Sequence, residues 1–172
     1  DWRNLLLGVT VFFLARVQAS LYFMNNIADE TIFNRARRQV LINAVPFVVL
    51  FLIFVGVTLT ADGYELNPVN GEVFVRKYKY FFNLIEMPWV AVMFLIGVVS
   101  VLYAIIRAAF SKTWICGIWY SGIGTVLVVL SLFFLAGYNN TPYYPSAVDL
   151  QSSLTIYNSS SSLFTLEVMT VV

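Results

Sequence analysis

Long apolar runs alternate with short polar stretches along this chain. Residues 5–22, 40–59, 90–106 and 115–137 each supply about 17 to 23 mostly uncharged positions, the length a helix needs to cross a bilayer. At ~1.5 Å rise per residue, such a run spans ~30 Å of hydrocarbon. The pattern predicts an all-α membrane protein: a bundle of four transmembrane helices near residues 4–25, 30–60, 86–107 and 114–137. A further apolar run, 163–172, is about half a crossing long and reads as the truncated start of a fifth helix. Residues 1–172 then form a single transmembrane domain with external loops at 61–85 and 138–162.

The polar positions set the ends of these elements. Asp29 is placed to cap the second helix, with Glu30 at the positive end of its dipole. Pro46 falls inside that helix and should kink it, because it lacks a backbone donor. Asp62-Gly63, Asn67-Pro68 and Asn70-Gly71 are turn chemistry, and 73–75 suits a short extended piece between them. Pro88 belongs in the first turn of the third helix. Glu86, just before it, is read as a carboxylate favoured by that helix's dipole. Trp114, Trp119 and Tyr120 suit the headgroup level.

Charge distribution gives an orientation. The stretch 138–162 is rich in Ser, Asn, Pro and Tyr and has no Lys or Arg. The positive-inside rule puts it outside the cytoplasm. Arg35, Arg37, Arg38, Arg107 and Lys112 then lie inside, and Arg3, Arg76, Lys77 and Lys79 outside.

Composition narrows the function classes. The chain is 60% hydrophobic and 11% charged, against roughly 25% charged in soluble domains. That excludes soluble enzymes, nucleic-acid partners and secreted disulfide scaffolds. Cys116 has no second cysteine to pair with and reads as a small buried apolar residue. The chain opens on Asp1 without a Met and ends inside an apolar run, so it reads as a fragment.

Histidine is absent from all 172 residues. His-ligated haem, His-containing zinc sites and Ser-His or Cys-His catalysis are therefore excluded within them. Met24, Met87, Met93 and Met169 read as packing residues. No catalytic, cofactor or metal residue is expected here. The candidate intramembrane polar contacts are Arg16, Gln18, Tyr22 and Glu167. Arg16 falls near the middle of the first helix, where a charge is costly and needs a partner, and Glu167 is the expected one. Gln18 and Tyr22 are one turn apart and suit interhelical hydrogen bonds, as does Asn43. Gly117, Ser121 and Thr125, small residues at four-residue spacing, mark a close-packing face. Half of a small secondary transporter is the alternative reading, resting on Pro46 and Arg16.

The last loop carries a more specific pattern: Tyr144-Pro145-Ser146, then Ser153-Leu154-Thr155-Ile156, Ser160-Ser161-Ser162, Thr165-Leu166 and Met169-Thr170. Together with Gln18, Tyr22, Arg35, Arg37, Asp62-Gly63-Tyr64 and Pro88, it resembles subunit II of the cytochrome bd quinol oxidases. The resemblance implies the C-terminal half of that subunit, in a heterodimer within the prokaryotic cytoplasmic (inner) membrane. Haems b and d then belong to the partner, subunit I, which oxidises quinol from the quinone pool and reduces dioxygen to water in the respiratory chain. Subunit II would support assembly without haem of its own, with a structural quinone as a candidate ligand. Arg16 departs from the better-known members, which tend to be apolar or neutral there.

Overall fold

The computed structural model describes residues 2–142, 145–146 and 148–155. Among these, four long helices run the length of the bundle: α1 (Trp2–Asn26), α2 (Glu30–Leu59), α4 (Pro88–Phe110) and α5 (Gly117–Gly137). A two-stranded hairpin, β1 (Gly63–Leu66) and β2 (Val73–Arg76), and a short helix α3 (Lys79–Glu86) lie between α2 and α4. The expected fifth helix lies outside the described residues.

All four long helices are apolar enough, over enough length, to cross a membrane. Their outer faces confirm the solvent for which they are built. Val45, Leu52, Leu95, Val99 and Phe133 are each more than half exposed, a pattern that water would penalise and lipid tails do not. The chain is a multi-pass membrane protein.

Local chemistry explains the helix ends. Asp29 Oδ1 accepts from the Ile32 backbone N–H at 2.8 Å, capping α2 as its sequence position predicts. Pro88 occupies the first turn of α4, where its missing N–H leaves no bond unmade. Pro46 is carried inside α2, which remains helical on both sides of it. α5 starts at Gly117, three residues later than the helix start expected at 114. Ser111 Oγ instead accepts from the Thr113 and Trp114 N–H groups, holding an irregular connector at 111–116.

The helices pack as two hairpins. α1 lies along α2, α4 along α5, and the pairs meet through α1 with α5 and α2 with α4. A buried cluster joins Val17, Leu21 and Met24 to Ala36, Val40, Ala44 and Phe47, and to Val101, Ala104, Ile105 and Ala108. It sits toward the end that bears the α1–α2 and α4–α5 connectors. The tightest crossing is between α4 and α5. A Cβ on Gly97 would meet the Gly124 carbonyl oxygen at 2.8 Å, and one on Gly124 would meet that of Gly97 at 2.7 Å. Glycine at both positions lets the two backbones touch.

The stretch 61–85 holds the hairpin and α3, and the short extended piece expected at 73–75 is β2. One expectation from the sequence is corrected here. Cys116 is exposed rather than buried, because the irregular connector leaves it at the rim of α5. The seam of α5 against α4 centres on Gly124. The expected close-packing face of Gly117, Ser121 and Thr125 is also packed: Ser121 is fully buried, Thr125 accepts from Gln18 of α1, and a Cβ placed on Gly117 would meet Leu21 Cδ2 of α1 at 2.7 Å.

Candidate functional site

Among the described residues the ion pairs converge at one place, where the hairpin and α3 meet the C-terminal end of α5. β1 pairs antiparallel with β2, Gly63 opposite Arg76 and Leu66 opposite Val73. That register carries Glu65 and Arg76 to neighbouring positions on the hairpin. Arg76 Nη1 donates to Glu65 Oε2 at 2.9 Å, and Arg76 Nη2 reaches Glu86 Oε1 at 3.1 Å. The guanidinium also lies 4.6 Å from the Phe82 ring centroid, a stacked geometry suited to a planar cation.

α3 turns its polar face inward. Lys79 and Asn83, one turn apart, are both fully buried, while Phe81, Phe82 and Ile85 are exposed. Lys79 Nζ donates to the Asn139 carbonyl at 2.7 Å and lies 3.1 Å from Glu65 Oε2. Asn83 Nδ2 donates to the Leu135 carbonyl at 2.9 Å, satisfying an orphan acceptor at the end of α5. Asn139 Nδ2 donates in turn to Asn83 Oδ1 at 3.0 Å and to Glu86 Oε2. Asn139 and Asn140 both take the left-handed conformation, with φ of 60° and 57°, which asparagine tolerates better than most residues. The Asn140 carbonyl accepts from the Leu66 N–H at 2.7 Å. The result is a polar clasp that ties the hairpin and α3 to the end of the last described span.

Electrostatics follow from this wiring. The Asn139 amide, with help from Arg76, holds the Glu86 carboxyl below its ordinary range. Burial pulls the Lys79 ammonium down, against the opposing pull of Glu65. The hydrogen bond to Glu65 raises Arg76 further. Glu86 is therefore a bridging carboxylate. It ends α3 and does not cap α4, whose N-cap Met87 makes no side-chain capping bond. The capping role expected of it is corrected, while its place just before the α4 N-terminus, where the dipole favours a carboxylate, is as expected.

The three described candidates, Arg16, Gln18 and Tyr22, do not gather into one site. Gln18 Nε2 donates to Thr125 Oγ1 at 2.8 Å, linking α1 to α5. Tyr22, one turn on, is exposed, with its ring at 6.3 Å from Phe23. Arg16 is exposed on the outer face of α1, its guanidinium 5.7 Å from the Phe12 ring. Glu167 lies outside the described residues. Asn43 bonds within its own helix, to the Gln39 carbonyl at 2.6 Å, and not across helices. An apolar cavity of about 110 Å³ opens among α1, α2, α4 and α5, bordered by Leu14, Phe47, Phe51 and Val128. Its two hydroxyls, Thr10 and Thr125, already donate to the Leu6 and Ser121 carbonyls. Ligand pockets typically enclose ~300–1,000 Å³ with a few free polar groups. Among the described residues this cavity has no free polar group and suits part of an apolar chain.

Among the described residues no three His, Cys, Asp or Glu side chains cluster to hold a metal. Met24 and Met87 sit at opposite ends of the bundle, in the connector-end core and at the α4 N-cap. The clasp itself has every charge countered, so its geometry supports a structural role. Sequence reasoning missed it. The available signal was the pairing of Lys79 with Asn83 on an otherwise aromatic stretch, a polar stripe at helical spacing.

The family model for cytochrome bd terminal oxidase subunit II matches residues 1–172. The chain belongs to that family. A curated relative, the probable cytochrome oxidase subunit 2 of Haemophilus influenzae, is 29% identical over 154 residues. That match takes in 83% of this chain and 39% of the relative, so this subunit II chain spans about two fifths of the relative's length.

Proposed function

We propose that this chain is the C-terminal half of a haem-free subunit II, and that it supports a haem-bearing subunit I in a terminal quinol oxidase of the prokaryotic cytoplasmic membrane. In that complex two quinols would reduce one dioxygen to two waters. The observation that carries the reading is the family match along all 172 residues. The absence of histidine supports it, because haem ligation in such a complex then falls to the partner. The transporter alternative gains nothing, since α2 runs through Pro46 without a break and Arg16 does not border the cavity. Full-length subunit co-expressed with subunit I should purify as one complex with haem absorption and quinol-dependent oxygen uptake. The full-length subunit alone should carry no haem. Stoichiometric haem on it alone, or substrate flux from a haem-free preparation, would overturn the reading.

The orientation we propose places the hairpin, the clasp and 148–155 outside, and the α1–α2 and α4–α5 connectors inside. Val148 is 99% exposed, and the native Cys116 is exposed at the opposite end. A membrane-impermeant thiol reagent should label Val148→Cys in a Cys116→Ser background on intact cells. It should reach native Cys116 only after the membrane is opened. The reverse pattern inverts the topology.

Arg16 is proposed to pair with Glu167. An unpaired charge near mid-bilayer costs about 2.5–3.5 kcal/mol on insertion scales, and a stacked Phe12 returns only part of that. Arg16→Leu should lower complex yield by stranding Glu167, and adding Glu167→Gln should restore part of it. Additive losses across the double-mutant cycle would show that the two do not interact.

A further inference from the structure

The end of the bundle opposite the clasp holds a different kind of charge. Arg35, Arg37, Arg38, Arg107 and Lys112 gather there. They make no ion pair or side-chain hydrogen bond with any described residue. At the clasp end, by contrast, Arg76 and Lys79 are locked onto Glu65 and Glu86. Ala36 and Val40 share a buried cluster with Ala104 and Ala108. The arginine-bearing turns of α2 and α4 therefore lie at one level of the bundle.

Depth identifies what these cations meet. The apolar part of α2, 40–59, fills ~30 Å by itself at 1.5 Å per residue. Arg38 and Arg35 then stand ~3 and ~8 Å beyond the hydrocarbon edge, within the phosphate layer. Both are exposed. Arg107 occupies the last turn of α4, also exposed, with its guanidinium 5.9 Å from the Trp114 ring. Trp114, Tyr103 and Tyr120 contact one another edge-on or tilted, at 5.3–5.8 Å between centroids. Such an amphipathic aromatic group belongs at the membrane–water boundary. The carboxylates of this end, Asp29 and Glu30, stand ~15 Å out from Val40 along the helix, past the phosphates. Asp29 is already spent on the Ile32 N–H.

We propose that this end is a binding surface for anionic phospholipid headgroups of the adjoining leaflet, with Arg35, Arg38 and Arg107 as the principal phosphate contacts. Arginine suits the task, since its planar donors match a phosphate oxygen pair. An acidic protein surface would need its carboxylates at phosphate depth, where they too would compete with lipid. The lipid, by contrast, brings its charge to that level by construction.

The test uses the intact complex in nanodiscs of equal phosphatidylglycerol and phosphatidylcholine, with retained lipid measured by mass spectrometry. Phosphatidylglycerol should be enriched several-fold over the bulk ratio, and the enrichment should fall as salt rises. Arg35→Gln with Arg38→Gln and Arg107→Gln should return the ratio to bulk. The same three positions changed to Lys should keep most of the enrichment, which separates lost charge from lost folding. Lys77→Gln, at the other end, should leave it unchanged. Inorganic phosphate at millimolar levels should not displace the lipid; displacement would make this a soluble-anion site and overturn the proposal. Equal ratios in the unaltered complex, or enrichment untouched by the triple Gln change, would also overturn it.

Discussion

Replacing Gly124 with leucine should drive α4 and α5 apart and lower the melting temperature of the purified complex by about 2–12 °C. The reason is geometric. A side chain at Gly124 begins with a Cβ at 2.7 Å from the Gly97 carbonyl oxygen, 2.8 Å from Val101 Cγ2 and 3.0 Å from Ser100 Cβ. The first of these is backbone and cannot turn aside. Overpacking of this kind costs about 1–3 kcal/mol or more, at roughly 2–4 °C per kcal/mol for a domain of this size. The Ser100 Oγ bond to the Tyr120 carbonyl, 2.8 Å, would be lost with the separation. Gly122→Leu is the control, because nothing lies within 4 Å of a Cβ there. Both changes replace glycine in the same helix, so propensity cancels. Equal melting temperatures for the two variants would show that the close crossing is not where the stability resides.

The second large effect belongs to Lys79. Lys79→Ala should cost about 3 kcal/mol, the low end for breaking a buried ion pair, because Glu65 keeps Arg76 as a partner. The Asn139 carbonyl loses its donor, and the hairpin loses the stem it rests on, since Gly63 packs against the Lys79 Cβ and Cγ. The visible result should be faster hydrogen exchange of the β1 and β2 amides, with the four long helices still protected. Lys79→Met, which keeps the stem, should lose less. Unchanged hairpin protection in Lys79→Ala would refute the clasp.

The clasp also sets a pH dependence. Glu86 has its carboxyl held below the ordinary value, so its contribution is full above that value and fades as pH falls through the lower folded one. Lys79 is lowered by burial, so folding penalises its charged form. That penalty is full below the folded value and is relieved as pH rises toward the ordinary lysine value. Both groups make stability rise with pH, on separate flanks. Glu86→Gln should flatten the acid flank alone.

How much of this was readable in the chain differs by scale. The four spans and the caps at Asp29 and Pro88 follow from local patterns of apolar length and backbone chemistry. The turns and the extended piece at 73–75 do as well, but β1, its pairing with β2 and α3 do not, because their order depends on partners elsewhere in the chain. Lys79 reads as a loop cation until Asn139 is brought beside it. The Gly97–Gly124 seam was equally hidden. Glycine is common in apolar spans, and only the crossing of two backbones selects the pair that matters. Cys116 was misread because an apolar neighbourhood in sequence was taken for one in space. Gln18 found an interhelical partner, Thr125, whereas Tyr22 on the same face did not turn inward.

The sixty-residue separation of Lys79 from Asn139 bears on biogenesis. At ~5–20 residues per second of synthesis, Lys79 emerges roughly 3–12 s before the carbonyl that receives it. Throughout that interval α4 and α5 are still entering the bilayer. The clasp thus closes only after α5 has been threaded across and Asn139 has come back to the same face as α3. A quality-control protease would therefore find the hairpin unanchored, and open to cleavage, for as long as insertion is unfinished.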